Sequence, residues 1–249
     1  MPTRTSPPLL LGHRGMRAVH VGRGRRRLAL PAENTLAAFA YALANGCHGV
    51  EFDVRYSRDG RSVLCHDATL EGIDIGAADY SELQRQGYHL PSLEDALAGF
   101  SAGPYLDIEL KVAGHEEALL AALRACPPQG GHVISSFLPE VLLRLQELDP
   151  SQPLGYICER WRDVPRWREL PITTLCPHYR LVSPRLIAEV HARGMKLFAW
   201  TVNEVRDMRR LAEWGVDGLI SDDPELLSRT CLRREDLATI HKPASAGTG

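Results

Sequence analysis

Paired-cysteine motifs are absent from this chain. Its six cysteines, Cys47, Cys65, Cys126, Cys158, Cys176 and Cys231, are scattered, with no CxxC and no Cys/His spacing of the zinc type. That argues against a disulfide framework or a structural zinc, and free thiols in a reducing compartment are expected. Long apolar runs are also lacking. Near the amino terminus there is only Leu9-Leu10-Leu11, too short for a signal segment or a membrane span, so a cytoplasmic protein without stable membrane insertion is expected. Nor is there an excess of charge of one sign. A formal net charge of −2 excludes a general polyanion binder, so nucleic acid is not an expected partner. Aromatics are scarce, at 6%, and no low-complexity block or internal repeat stands out beyond an alternation of strand-like and helix-like stretches.

What is present is the composition of an ordinary globular protein, 44% hydrophobic and 24% charged, at 249 residues the size of one α/β barrel or two small domains. Apolar runs of strand length fall at Leu9–Leu11, Gly49–Val54, Ser62–Cys65, Tyr105–Leu110, His132–Ser135, Leu154–Cys158, Ile172–Cys176, Lys196–Trp200 and Gly218–Ile220. Amphipathic stretches fit between most of them: Thr35–Ala44, Leu93–Ala98, Glu116–Arg124, Pro139–Leu148, Pro184–Arg193 and Glu204–Trp214. In the first, Leu36, Phe39, Ala40 and Leu43 make one apolar stripe and Asn45-Gly46 supplies a stop. No linker interrupts the series, which predicts one domain. Right-handed βα units in this number fit a closed (β/α)8 barrel of the TIM type better than an open sheet. The barrel is expected over residues 1–231, followed by a polar tail over 232–249 that ends Lys242-Pro-Ala-Ser-Ala-Gly-Thr-Gly249.

Two acidic strands stand out. Glu51 and Asp53 are two apart in Gly49-Val-Glu-Phe-Asp-Val54, so a strand's period of two puts both carboxylates on one face and Val50, Phe52 and Val54 on the other. Buried like charges need a cation, a shared proton or an arginine partner, so the pair marks either a metal site or a structural ion-pair cluster. Asp107, Glu109 and Lys111 alternate onto one face of Tyr105–Lys111 in the same way. In an α/β barrel the carboxyl ends of the strands form the active-site face, where Glu51, Asp53 and Glu109 can converge on one hard cation. A salt bridge between Glu109 and Lys111 inside the barrel is the structural alternative.

Two of the ten histidines join this face. His13 follows Leu9–Leu11 and precedes Arg14-Gly15, and His66 follows Val63-Leu64-Cys65 and precedes Asp67, so both are read as ending strands of the same barrel. Imidazole titrates near neutral pH, so one can accept a proton from an attacking oxygen while the other gives one to a leaving oxygen, as phosphodiester cleavage requires. Arg14 and a metal would stabilise charge on phosphoryl oxygens. Asp67 either orients its neighbour or is a turn residue.

These pieces occur in an order that resembles the glycerophosphodiester phosphodiesterase family, which also takes in lysophospholipid-cleaving and sphingomyelinase D-like relatives. The resemblance rests on His13-Arg14-Gly15, Glu33-Asn34-Thr35-Leu36-Ala37-Ala38-Phe39, Glu51-Phe52-Asp53-Val54, Ser57-Arg58-Asp59-Gly60 and His66-Asp67. Later segments carry it on: Leu90-Pro91-Ser92-Leu93-Glu94-Asp95-Ala96-Leu97, Asp107-Ile108-Glu109-Leu110-Lys111, Trp200-Thr201-Val202-Asn203 and Gly215 through Pro224. It implies a TIM barrel, ligation of Mg²⁺ or Ca²⁺ by Glu51, Asp53 and Glu109, acid–base roles for His13 and His66, and phosphate contacts from Arg14 and Lys111. Trp200 would wall the pocket, or else serve as a packing aromatic. The implied partner is a small glycerophosphodiester, cleaved to glycerol 3-phosphate and an alcohol, with attack by the substrate's own neighbouring hydroxyl as an opening step. A lysophospholipid cleaved at the same site is the nearer alternative, and a barrel that binds a phosphoester without turnover the more distant one. The chain departs from the family twice. Residues 16–30 form a longer stretch holding Arg17, Arg23, Arg25, Arg26 and Arg27, read as a solvated loop or else a contact for a phosphorylated head group or a membrane surface. The segment from Thr69 to Leu90 is a shortened insertion after the second strand region, which predicts a reduced cap over the alcohol end of the substrate.

Overall fold

The structure is a computed structural model that describes residues 7–17, 30–85 and 90–232. In chain order its strands are β1 (Leu9–His13), β2 (Gly49–Tyr56), β3 (Ser62–Leu64), β4 (Thr69–Leu70), β5 (Ile73–Asp74), β6 (Tyr105–Leu110), β7 (His132–Ser136), β8 (Leu154–Cys158), β9 (Thr174–Pro177), β10 (Lys196–Ala199) and β11 (Gly218–Ser221). The helices are α1 (Leu36–Ala44), α2 (Tyr80–Arg85), α3 (Leu93–Phe100), α4 (Glu116–Ala125), α5 (Pro139–Leu148), α6 (Pro184–His191), α7 (Val205–Trp214) and α8 (Pro224–Cys231).

Eight strands pair in parallel in the order β1-β11-β10-β9-β8-β7-β6-β2, and β1 pairs with β2 to close the ring. The expected (β/α)8 barrel is therefore what forms. Its two-faced strands follow from alternation: Val50, Phe52 and Val54 of β2, with Leu106, Ile108 and Leu110 of β6, are fully buried against the helical layer. Phe39 of α1 meets Phe52 there, ring centroids 5.2 Å apart. The opposite face points into the barrel, where Leu11, Val133, Ile157, Cys176, Phe198 and Ile220 make a closed apolar layer. Gly218 makes room for it, because a Cβ at that position would lie 2.5 Å from the Phe198 ring. Nearer the carboxyl ends of the strands the interior turns polar, with His13, Glu51, Asp53, Asp107, Glu109 and Ser135 all buried.

Caps fix the helix starts. Thr35 accepts from the Ala38 amide at the start of α1, and Ser92 with Asp95 forms a reciprocal capping box on α3. Between β8 and β9 a 3-10 turn at Val164–Glu169 stands where an α-helix would in other units. All six cysteines are free, and among the described residues no helix is long and apolar enough to cross a membrane.

One reading of the sequence needs correction, and two elements are added to it. Ser62–Cys65 is not a barrel strand: β3 runs antiparallel to β2 as a hairpin outside the ring, so His66 does not end a barrel strand. A three-residue apolar run carries no information about direction, and the tight Ser57–Gly60 turn, with Gly60 at φ +77°, reverses the chain. The shortened insertion holds the β4–β5 hairpin and α2 around a small core of Val63, Ile75, Ala78 and Leu83. Helix α8 adds an element that the apolar pattern does not announce, although Asp223 caps it through the Leu226 amide and Pro224 opens it. Arg23, Arg25, Arg26 and Arg27 of the arginine-rich stretch, and the tail from 233 onward, lie outside the described residues.

Candidate active site

Register brings the acids together. In the parallel pairing of β2 and β6, Glu51 lies opposite Asp107 and Asp53 opposite Glu109, while His13 of β1 lies opposite Glu51. Side chains on one face of these three strands therefore converge at the carboxyl end of the barrel. One carboxylate oxygen each from Glu51, Asp53 and Glu109 lies within 4.8 Å of the others, and all three residues are buried.

Such crowding has electrostatic consequences. Burial, then the charges of Asp53 and Glu109, hold the Glu51 carboxyl well above its usual range. Burial and the charge of Asp53 push Glu109 up to about 8, against the pull of Lys111. Burial also acts to raise Asp53, but Lys111, Arg14 and the Asn34 amide together outweigh it and bring that carboxyl to about 2. Asp107, two residues before Glu109 and in register with Glu51, is raised to about 7 mainly by burial, and accepts a 2.6 Å hydrogen bond from Ser135 Oγ.

Two cations already face the triad. Lys111 Nζ lies 2.8 Å from Glu109 Oε1 and 3.1 Å from Asp53 Oδ1, so the salt bridge considered as a structural alternative exists. Arg14 Nε lies 3.2 Å from Asp53 Oδ2 while its Nη1 donates to Glu33 at 2.7 Å. Buried Asp53 Oδ1 and Arg14 Nε have only these ion-pair approaches and no aligned hydrogen bond. An unsatisfied, ionised oxygen inside a cluster of all-oxygen donors fits a hard divalent cation such as Mg²⁺ or Ca²⁺. Glu51, Asp53 and Glu109 are the residues that would hold it.

Local backbone geometry sets Arg14. Arg14 and Gly15 both have positive φ, +53° and +76°, making a tight left-handed turn off the end of β1. A Cβ at Gly15 would lie 2.6 Å from the Ala38 carbonyl carbon of α1, so only glycine fits. The turn aims the Arg14 amide at Glu51 Oε2, 2.9 Å away.

Each histidine is held through Nδ1 by a carboxylate. His13 Nδ1 lies 2.6 Å from Asp222 Oδ1, with both side chains buried, and His13 Nε2 lies 3.9 Å from Glu51 Oε2. Burial acts to raise Asp222, but His13 and Asn203 lower it more, and the carboxyl sits below its usual range. An ionised Asp222 only accepts, so the His13 proton is on Nδ1 and Nε2 faces the triad. His66 Nδ1 pairs in the same way with Asp67 Oδ1 at 2.7 Å, in a setting where the His66 ring is 39% exposed. Burial and the Lys111 ammonium depress the His66 pKa, against Asp67 and Asp53. Asp67 thus orients its neighbour.

Trp200 follows β10 and is fixed by three contacts. Its Nε1 donates to the Cys176 carbonyl at 2.8 Å, and Phe137 and His178 meet it edge-on at 5.5 and 5.6 Å. Phe137 also faces Lys111 Nζ, 5.8 Å from its ring centroid, so the aromatic wall continues to the acidic cluster.

Reading the residues alone missed three supports. Asp222 orients His13, and Asn203 in turn orients Asp222 by donating from Nδ2 at 2.7 Å and accepting the Asp222 amide at 3.0 Å. Asn34, at φ +56°, donates to Asp53 Oδ2 at 2.8 Å and accepts the Asp53 amide at 3.1 Å. The signal for Asn34 was its place in the Glu33-Asn34-Thr35 segment. For Asp222 it was its position two residues beyond Ile220, on the inward face of β11.

Comparison with known proteins agrees with this architecture. The model of the glycerophosphoryl diester phosphodiesterase family matches residues 13–226. A glycerophosphodiester phosphodiesterase of Caldanaerobacter subterraneus subsp. tengcongensis is 31% identical over 222 residues, covering 78% of this chain and 90% of the relative. Among solved structures, the glycerophosphodiester phosphodiesterase of Thermotoga maritima superposes with a TM-score of 0.74 at 26% identity, over 91% of this chain and 99% of that one. An Oleispira antarctica phosphodiesterase, solved in complex with its product sn-glycerol-3-phosphate, gives 0.75 at 26% identity, over 90% and 96%. With the match spanning the barrel from His13 to beyond Asp222, the chain belongs to the glycerophosphoryl diester phosphodiesterase family.

Proposed function

We propose that this protein hydrolyses glycerophosphodiesters to sn-glycerol 3-phosphate and an alcohol, with a divalent cation, Mg²⁺ or Ca²⁺, at Glu51, Asp53 and Glu109. The observation that carries the reading is the convergence of these three buried carboxylates beside two histidines whose Nδ1 atoms are each tied to a carboxylate. When bound, the cation supplies Lewis-acid stabilisation of phosphoryl charge. His13 and His66 hold and move protons at Nε2, one accepting from the attacking hydroxyl and the other donating to the leaving oxygen, each contributing about 10²–10⁴-fold. Asp222 and Asp67 keep both rings in the tautomer that leaves Nε2 for this work. Arg14 and Lys111 bind the phosphoryl oxygens, and Trp200 walls the pocket with Phe137. Attack by the substrate's own neighbouring hydroxyl would give a cyclic phosphate as the first product.

The test is direct product analysis. Purified protein incubated with glycerophosphocholine should release glycerol 3-phosphate, and His13→Ala and His66→Ala should each lose at least about 100-fold in kcat while staying folded. Binding of the diester with no product formed would support the non-catalytic barrel instead. A second reading, cleavage of lysophospholipids, is favoured by the exposure of Phe137 beside Trp200 at the mouth. Faster turnover of a lipid-tailed substrate than of glycerophosphocholine would establish it.

A further inference from the structure

Strand β2 carries a third polar residue on the face of Glu51 and Asp53. Arg55 is two residues beyond Asp53, where the barrel ends and β2 continues as one arm of the hairpin with β3. Its guanidinium forks onto a single main-chain oxygen, with Nε 3.0 Å and Nη2 2.7 Å from the carbonyl of His66. Among the described residues no carboxylate lies within ion-pair distance of Arg55; the exposed Asp67 carboxylate feels its charge only at longer range, and both Nε and Nη2 bond this one peptide group. Arginine is an unusual choice for a plain loop anchor, since a charged guanidinium at a half-buried site normally finds an acid.

His66 needs such an anchor. The last ladder pairing of the hairpin is Val54 with Leu64, and the Cys65 amide still reaches the Asp53 carbonyl at 3.1 Å. His66 lies one residue past that bond, half exposed, and its ring partner Asp67 is its own neighbour in the chain and 75% exposed at the side chain. Asp67 can set the tautomer of the ring but cannot locate it relative to the barrel. Arg55 can, because it is rooted in the strand that also bears Glu51 and Asp53.

We infer that Arg55 is a positioning residue that fixes the His66 main chain, and through it the imidazole, in register with the acidic triad. This rests on the reading of His66 as an acid–base group. Misplacing a reacting group by about 1 Å costs up to about 100-fold. Arg55→Ala should therefore lower kcat for glycerophosphocholine by about 10–100-fold with KM changed much less. Arg55→Lys, which keeps the charge and one donor, should recover part of the loss. Cation affinity measured by calorimetry should stay at the wild-type value in both.

The decisive experiment is a double-mutant cycle with His66→Ala on glycerophosphocholine, whose alkoxide leaving group needs a proton, run at high enzyme concentration so that residual rates are measurable. If Arg55 acts through His66, adding Arg55→Ala to His66→Ala lowers the rate no further. An equal loss in both backgrounds would show a general structural role and overturn the inference, as would wild-type kcat in Arg55→Ala. A fully active His66→Ala would instead remove the acid–base reading of His66, and this inference with it. Should Arg55→Ala fail to fold, the same cycle is run with Arg55→Lys, and the same pattern of losses decides.

Discussion

His13 Nδ1 and Asp222 Oδ1 lie 2.6 Å apart, which joins the first and last strands of the barrel inside the active site. The pairing follows from register. Gly12 of β1 lies opposite Ser221 of β11, so the next residues, His13 and Asp222, come side by side as the strands end. Barrel closure and orientation of the imidazole proposed for acid–base work are thus one structural event. Asn203 completes it by holding the second Asp222 oxygen.

Replacing Asp222 by Asn tests that orientation. Asn203 Nδ2 already donates to one side of residue 222, so the new amide keeps its oxygen there and turns its NH2 toward His13. That forces the imidazole proton onto Nε2 and removes its proton-accepting atom. Asp222→Asn should lower kcat by about 10²–10⁴-fold with cation affinity unchanged. Wild-type kcat would show that the His13–Asp222 contact does not serve catalysis.

The acidic triad predicts how stability responds to pH. Without cation, Glu109 has a folded pKa of about 8 against an ordinary value of 4.5, so the native state holds this proton more tightly than the unfolded chain does. Its contribution to stability is greatest below pH 4.5, falls as pH rises, and is lost by about pH 8. Glu51 is shifted in the same direction. Melting temperatures of chelated protein should therefore decline from about pH 5 to about pH 8.5 more steeply than those of Glu109→Gln, and added Mg²⁺ or Ca²⁺ should restore them most at the alkaline end. A flat profile in both proteins would contradict the assignment.

Cation binding should also depend on each ligand. Glu51→Gln, Asp53→Asn and Glu109→Gln should each raise the dissociation constant by more than about tenfold, since even groups one step removed from a metal have effects of that size. Calorimetric titration of the chelated protein measures this. Unchanged affinity in any variant would remove that residue from the site.

Gly15 offers a prediction about the fold that carries the site. A Cβ there meets the Ala38 backbone at 2.6 Å, and φ is +76°. Gly15→Ala should cost at least about 1–3 kcal/mol in denaturant unfolding. Because the same turn aims the Arg14 amide at Glu51, activity should fall as well.

Some of this is legible in the sequence and the rest is not, for physical reasons. Alternation on β2 and β6 is a property of consecutive residues, so Glu51, Asp53 and Glu109 fall on one face, and Val50, Phe52 and Val54 on the other, from the order of the residues by itself. His13 is legible because it comes one glycine after an apolar run. Direction is not written in a run of three, so β3 reads as a barrel strand when it is the return arm of a hairpin. The β4–β5 hairpin and α2 have too few residues to show a period. Asp222 meets His13 across 209 positions, and although its spacing from Ile220 puts it on the inward side, nothing in the sequence names its partner. Arg55 is hidden most completely, because its partner is a main-chain carbonyl that any residue would present.

Activity after metal removal tests the account most directly. Glycerol 3-phosphate release from glycerophosphocholine would be measured on protein stripped with chelator, then with Mg²⁺ or Ca²⁺ restored. Turnover is expected to be lost on stripping and to recover when one of these ions is added back. Undiminished release from fully stripped protein would contradict the account.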